Sequence, residues 1–340
     1  LPNAIVVVKQ IGATSYTTKT NAAGTYLIPS LTAGDYIVTI TFPGFTTVQT
    51  KVSMLVGQTP EVDTLLPIGG ATDAVVVRSD MLAVDTTSST VAGNITPDDV
   101  KDMPINGRNY MELATLVPGV RVNAITNDTP LGNNNSGKFQ INLDGLQVTQ
   151  DTADASFGQP RFSPDAITQF QIITNRFDAT LGRSSGVYVN VQSKSGNNSI
   201  HGTAFGYFRN DAFNSADPIL KFQNLTSLHP VNAVNALSDQ QYGATFGGPI
   251  RKDRLWYFGS YEGEHQASGV PTTPVFTNTT IVAPQTLTVR EYLARSDWQP
   301  TAKDHLFLRV NGFTFKNDNA IASGSTDPSS FYYATRMNYA

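Results

Sequence analysis

Phe139-Gln140-Ile141-Asn142-Leu143-Asp144-Gly145 alternates apolar and polar side chains and then breaks at an Asp-Gly pair, which reads as a strand running into a turn. Two further landmarks follow in order. Ser163-Pro164-Asp165-Ala166-Ile167-Thr168-Gln169-Phe170 begins like a short helix and continues as a strand. Val187-Tyr188-Val189-Asn190-Val191-Gln192 is a third strand, preceded by Leu181-Gly182-Arg183-Ser184-Ser185-Gly186 and followed by the polar run Ser193-Lys194-Ser195-Gly196-Asn197-Asn198-Ser199. These landmarks divide the chain, because the pattern on their two sides differs.

On the C-terminal side six strand candidates follow, roughly Ile200–Arg209, Tyr242–Ile250, Leu255–Gly263, Thr286–Trp298, His305–Phe315 and Phe331–Ala340. Their connections alternate in length. Asp211–Gln241, Glu264–Gln285 and Lys316–Ser330 are long, whereas Arg251–Arg254 and Gln299–Asp304 are short. Transmembrane β-barrels make this pattern, with short periplasmic turns and long external loops, and a soluble sandwich has no reason to. Leu306, Leu308 and Val310 alternate with Phe307, Arg309 and Asn311, which assigns the aliphatics to lipid and Arg309 and Asn311 to the lumen. Tyr207, Phe208, Trp256 to Phe258, Tyr261, Tyr292, Trp298 and Phe331 to Tyr333 suit interfacial girdles. Ordinary β-core packing explains such aromatics equally well.

On the N-terminal side, Ala4–Val8, Gly24–Ile28, Tyr36–Phe42 and Val62–Leu66 are short strand-like runs separated by Gly-containing turns, a small β-sandwich signature. Gly69-Gly70 ends it. Thr72-Asp73-Ala74-Val75-Val76-Val77-Arg78 then reads as an extended segment that a partner's sheet edge could borrow, or equally as the first strand of the next unit. Thr96-Pro97-Asp98-Asp99-Val100 starts a helix with a Thr cap and Pro in its first turn. Asn109-Tyr110-Met111-Glu112 starts another, with Leu113, Leu116 and Val117 as its apolar stripe and Pro118-Gly119 as its stop. Helices interspersed with strands predict a small α/β unit. The polar loops Asn123–Lys138 and Thr149–Pro160 exceed what its core needs.

Only 15% of the 340 residues are charged, below the usual quarter, and the net charge of −4 gives no reason to expect nucleic acid. No cysteine is present, which excludes disulfides, thiolate-bound metals and a thiol nucleophile. No apolar run is long enough for a membrane-spanning helix. Gly132-Asn133-Asn134-Asn135-Ser136-Gly137-Lys138-Phe139 copies a phosphate-binding loop until its last position, where Phe139 lacks the hydroxyl for magnesium and a strand follows. His201, His229, His265 and His305 are scattered, without a second ligand at metal spacing. Asp151 and Asp154 read as a solvated loop rather than a calcium site. No catalytic constellation, cofactor or metal is expected, so the protein is not read as an enzyme. The chain opens at Leu1 without Met or an export signal and stops inside the run Phe331–Ala340, so a longer protein is expected at both ends.

The three landmarks together resemble the plug domain of TonB-dependent outer-membrane receptors, in the Oar-like branch. Met103-Pro104-Ile105-Asn106-Gly107-Arg108-Asn109-Tyr110 and the run from Tyr242 to Gly263 resemble motifs of that branch, with Met and Ile where Leu is usual. Residues 20–45 resemble the carboxypeptidase regulatory-like domain, which in that family carries no catalytic groups. The resemblance implies a mainly β chain in four parts: a periplasmic β-sandwich over 1–68, a linker over 69–82, an α/β plug over 83–199, and the first six or so strands of an incomplete antiparallel transmembrane β-barrel over 200–340. It implies a TonB box at Asp73, Ala74, Val75, Val76 and Val77, with TonB and its inner-membrane complex, outer-membrane lipid and an unknown extracellular solute as partners. The plug's polar loops would meet that solute. A passive adhesin or matrix protein, and an exporter of a secreted protein, share the architecture. A soluble carbohydrate-binding or carboxypeptidase-linked enzyme conflicts with the loop alternation and the absent catalytic groups.

Overall fold

The computed structural model describes residues 1–10, 15–29, 31–69, 76–82, 91–103, 105, 108–122, 130–131, 139–149, 161–175, 187–225, 232, 234, 236–272, 281–301, 304–318 and 335–339. Its strands form three main sheets in chain order. The first holds β1 (Ile5–Gln10), β2 (Ser15–Lys19), β3 (Gly34–Thr41), β4 (Val48–Met54) and β5 (Val76–Leu82), in the order β2-β1-β3-β4-β5. All pairs are antiparallel except β4 with β5, which is parallel. Val6, Val8, Tyr36, Val38, Ile40 and Val52 fill one face, as the period-2 pattern requires. Tyr26, Ile28, Val62 and Leu66 pack over that face. Their segments form no ladder, so Gly24–Ile28 and Val62–Leu66 make a second layer without being strands. Tyr26 bridges the layer by donating its hydroxyl to the Val62 carbonyl at 3.2 Å.

The second sheet is the α/β unit. After β6 (Val91–Ile95) come β7 (Arg121–Val122) and β8 (Pro130–Leu131), a separate small pair, then β9 (Phe139–Leu143), β10 (Leu146–Gln147), β11 (Ile167–Asn175) and β12 (Val187–Ser193). The order is β10-β9-β12-β11-β6, with β9 and β12 parallel. The helix Pro97–Asp102 starts at a capping box in which Thr96 and Asp99 exchange bonds. Tyr110–Leu116 coils as a 3-10 helix capped by Asn109 rather than as an α-helix. Seven residues give little room for a regular helix, and the Thr115 hydroxyl takes the Glu112 carbonyl, which competes with backbone pairing. Pro164–Ala166 is a 3-10 turn leading into β11, the helix-then-strand read from the second landmark. Phe170, Ile172, Val189 and Tyr110 are fully buried at the centre of this core.

The third sheet is a six-stranded antiparallel meander: β13 (His201–Asn210), β14 (Leu237–Arg251), β15 (Leu255–Thr272), β16 (Ile281–Trp298), β17 (Leu306–Asp318) and β18 (Thr335–Tyr339). The strands outrun the sequence expectation: Glu264–Thr272 and Ile281–Gln285, read as loop, are ladder-paired, Thr272 with Ile281 at the far end. The prolines Pro271 and Pro284 and the polar run from Glu264 to Ser268 hid them, because such residues read as loop until a neighbouring strand pairs with them. Leu308 is 70% exposed and Leu306 and Val310 are exposed beside it, while Phe313, Val289 and Leu293 on the opposite face are buried. Phe258 and Leu293 belong to that unit's own core, so the wall completes it.

The stretch read as a linker contains β5, which pairs with the N-terminal sheet and not with the α/β sheet. The runs Asn123–Lys138 and Thr149–Pro160 lie outside the described residues except for Pro130–Leu131 and Thr149, as do Leu181–Gly186, Phe331–Ala334, His229 and most of the phosphate-loop-like run. Replacing Phe170 by Ala removes a fully buried ring packed edge-on against Tyr110 at 5.4 Å. The expected cost is about 3–5 kcal/mol. A urea titration of the detergent-held protein reads it as a lower midpoint at unchanged slope, and an unmoved midpoint contradicts this core.

Candidate functional site: the seat of the α/β unit in the wall

Asp144 and Gly145 both adopt positive φ, 48° and 82°, and close a two-residue hairpin between β9 and β10 that pairs Leu143 with Leu146. An Asp-Gly pair suits that turn because both central residues need left-handed backbone. The turn aims the Asp144 carboxylate at the wall. Arg309 of β17 donates Nη1 to Asp144 Oδ2 at 2.6 Å and to the Leu143 carbonyl at 2.8 Å. Arg295 of β16 brings Nη1 to 3.3 Å from Asp144 Oδ1. The Ser193 amide and hydroxyl donate to the same carboxylate at 2.9 and 2.7 Å. Arg295 also forks onto Asp297, with Nε to Oδ2 at 2.9 Å and Nη2 to Oδ1 at 2.8 Å, and His305 Nε2 lies 3.3 Å from Asp297 Oδ1. Fully buried charge is tolerated only when paired in this manner.

A second contact has the opposite polarity. Arg108, held at φ 53°, donates Nε to Glu262 Oε1 of β15 at 2.8 Å and Nη2 to Asp165 Oδ2 at 2.5 Å. Left-handed backbone at a non-glycine residue is strained, and the surrounding contacts hold it. The guanidinium also stacks 4.1 Å from the centre of the Phe205 ring on β13. Burial works against its charge, yet the bonds to Glu262 and Asp165 outweigh burial and hold its pKa above the ordinary arginine value. Nearby, Lys194 is pushed down by burial, partly restored by Asp165 and lowered further by Arg108. Arg161 approaches Glu264 at 3.7 Å, so Glu262 and Glu264 of one strand each meet a cation from the α/β unit.

The structure brings together residues that the sequence reading named separately. Asp144, read as a turn, and Arg309, read as lumenal, are one ion pair 165 positions apart. The network around Arg108, 154 positions from Glu262, had no local signal. An arginine in the Asn-Gly-Arg-Asn run and acidic residues on one face of the alternating β15 were the available hints. Val76 and Val77 lie in β5, paired with Val48 and Gln49, while Asp73, Ala74 and Val75 fall outside the described residues. The described residues contain no cluster of three metal-binding side chains. His201, His265 and His305 bond instead to Ser199, Thr288 and Asp297. Among the described residues no helix is long and apolar enough to cross a membrane.

An α/β unit bonded through charges to the inner face of an antiparallel sheet, whose outer face exposes aliphatic and aromatic side chains such as Leu308, Phe208, Phe246 and Trp298, is the build of a plug in an outer-membrane β-barrel. Residues 192–280 match the outer membrane beta barrel domain family, and residues 1–67 match the carboxypeptidase regulatory-like domain. The TonB-dependent transporter Oar of Myxococcus xanthus is 26% identical over 259 residues, covering 72% of this chain and 23% of that protein. A ferric enterobactin receptor from Pseudomonas aeruginosa superposes with a TM-score of 0.55 at 14% identity, over 74% of this chain and 38% of its own. The outer membrane transporter YddB from Escherichia coli gives 0.53 at 12% identity, over 70% and 35%. The chain therefore spans about a quarter of its curated relative and little over a third of these solved chains. It resembles the TonB-dependent outer-membrane receptors of the Oar-like branch, with a carboxypeptidase regulatory-like domain at its N-terminal end, and its location is the outer membrane.

Replacing Arg108 by Met strands Glu262 and Asp165, and because these side chains are only partly buried the expected cost is about 1–3 kcal/mol. Adding Glu262→Leu to Arg108→Met is expected to cost less than the two single changes summed. The coupling, about 0.5–3 kcal/mol, is read from a double-mutant cycle of urea midpoints. Strict additivity contradicts the pair.

Proposed function

We propose that the protein is a TonB-dependent outer-membrane receptor that binds an external solute and moves it across the outer membrane. The observation that carries this reading is the seat itself: an α/β unit that shares an apolar patch with a barrel-type wall and is fixed to it by few, strong and breakable charge contacts. A wall built for passive strength could fill the same interface with apolar side chains at equal or lower cost. A handful of buried ion pairs gives a seat that is firm until one partner is displaced. The curated relative is a TonB-dependent transporter, which supports the energy source, and the solved neighbours include a ferric enterobactin receptor.

In this reading the chain divides into a periplasmic domain over 1–68 that β5 joins from the 69–82 stretch as an edge strand, a plug over 83–199 and barrel strands over 200–340. TonB captures Asp73–Val77 by strand addition and pulls. The plug's load then falls on Arg108–Glu262 and on Asp144 with its two arginines. Once these part, the plug shifts along the wall and the solute passes. The protein's residues bind, hold and release, and no covalent step is required of them.

The test is binding of a TonB C-terminal domain to the chain and to its Val76→Pro variant. Proline removes a backbone donor and resists ladder formation. Binding by the parent and at least tenfold weaker binding by the variant is the expected result. Binding by neither contradicts energised transport through this segment.

A further inference from the structure

Val76 and Val77, the described part of the segment assigned to TonB, are not a free tether. Val76–Leu82 is already a strand, paired in parallel with β4 through Val48↔Val76, Gln49↔Val77, Thr50↔Arg78, Val52↔Met81 and Ser53↔Leu82. It is the last strand of its sheet, so one of its edges is spent on β4 and the other has no ladder partner among the described residues. An edge strand presents a row of unpaired N–H and C=O groups, the template that an added strand needs.

The sheet that carries β5 is also anchored. Gln299, in the short turn after β16, donates Nε2 to the Ser15 carbonyl of β2 at 3.1 Å. Gln192 of β12 donates Nε2 to the Ala33 carbonyl at 3.4 Å, just before β3. Both anchors lie at the short-turn end of the wall. The sheet that β5 belongs to is therefore tied to the wall and to the α/β unit through β2 and Ala33, rather than carried on a loose chain.

Beyond Leu82, eight residues lead to β6 at Val91. β6 is itself the outermost strand of the plug sheet, paired only with β11 in that sheet. Two edge strands thus stand in series along the chain. Fully extended, the connection reaches about 30 Å at most, so displacement of β5 loads β6 after a bounded slack. Like β10 at the other edge of that sheet, β6 has one ladder to lose and not two, and it is the one that follows β5 directly in the chain.

We propose that the N-terminal domain presents β5 as a ready-made docking edge, that the strand of TonB's C-terminal domain adds to it over Val76–Leu82, and that β6 is the first plug strand to bear the load. This rests on the TonB-dependent reading above and refines its docking site from Asp73–Val77 to the paired strand. The advantage of the arrangement is entropic. A free segment must be ordered residue by residue on capture, whereas folding of the N-terminal sheet has ordered this one beforehand.

The experiment compares the affinity of a TonB C-terminal domain for the full chain and for a synthetic peptide of residues 73–82, by titration calorimetry. Presentation by the sheet predicts binding to the chain at least tenfold tighter than to the peptide. Equal binding, or tighter binding of the peptide, overturns the proposal and shows β4 to be a competitor for β5, while leaving TonB dependence intact. Binding to neither removes the TonB reading itself, and this proposal with it.

Discussion

One carboxylate holds the plug and the wall in register. Asp144 is buried and accepts from Arg295, Arg309 and Ser193, three groups from three strands of two different sheets. None of these charges is tolerable alone in that position. An unpaired buried guanidinium costs several kcal/mol, so the turn, both arginines and the serine must be in place together. The hairpin geometry of Asp144-Gly145 makes this a constraint on backbone as well as charge, because the turn that aims the side chain at the wall is built from left-handed φ at both residues.

The second seat complements it. Asp144 is a plug anion on wall cations, whereas Arg108 and Arg161 are plug cations on wall anions. A plug translated along the wall sets like charges against each other at one seat or the other, so the pair of opposite polarities rejects false registers as well as favouring the true one. Apolar contact through Phe258 and Leu293 contributes area without direction. Charge therefore sets where the plug sits, and burial sets that it sits at all.

What the sequence made legible follows from range. Alternation along β17 and the Asp-Gly turn are local, and both were readable to the residue: Arg309 does face inward and Leu308 outward. The capping box at Thr96 was equally local. The strands Ser15–Lys19 and Val48–Met54 escaped notice because Thr, Ser, Lys and Gln dominate them. Their β character comes from neighbours, not from composition. β5 was recognised as β-prone but not assigned to the N-terminal sheet, since nothing local specifies a parallel partner that lies between 48 and 54. The same holds for Arg108 and Glu262, whose pairing exists only once two sheets have packed. The site was therefore visible as a set of residues with the right chemistry, and invisible as a set of contacts.

The account stands on Asp144 as the common tie, and hydrogen–deuterium exchange of the Asp144→Asn variant against the parent chain addresses that directly. Neutralising the carboxylate without changing its shape leaves Arg295 and Arg309 underpaired. Faster exchange is predicted not only at the turn but across β9 and β12 in the plug and β16 and β17 in the wall. Faster exchange confined to residues 143–146, with both sheets as protected as before, contradicts the claim that this one interaction seats the plug.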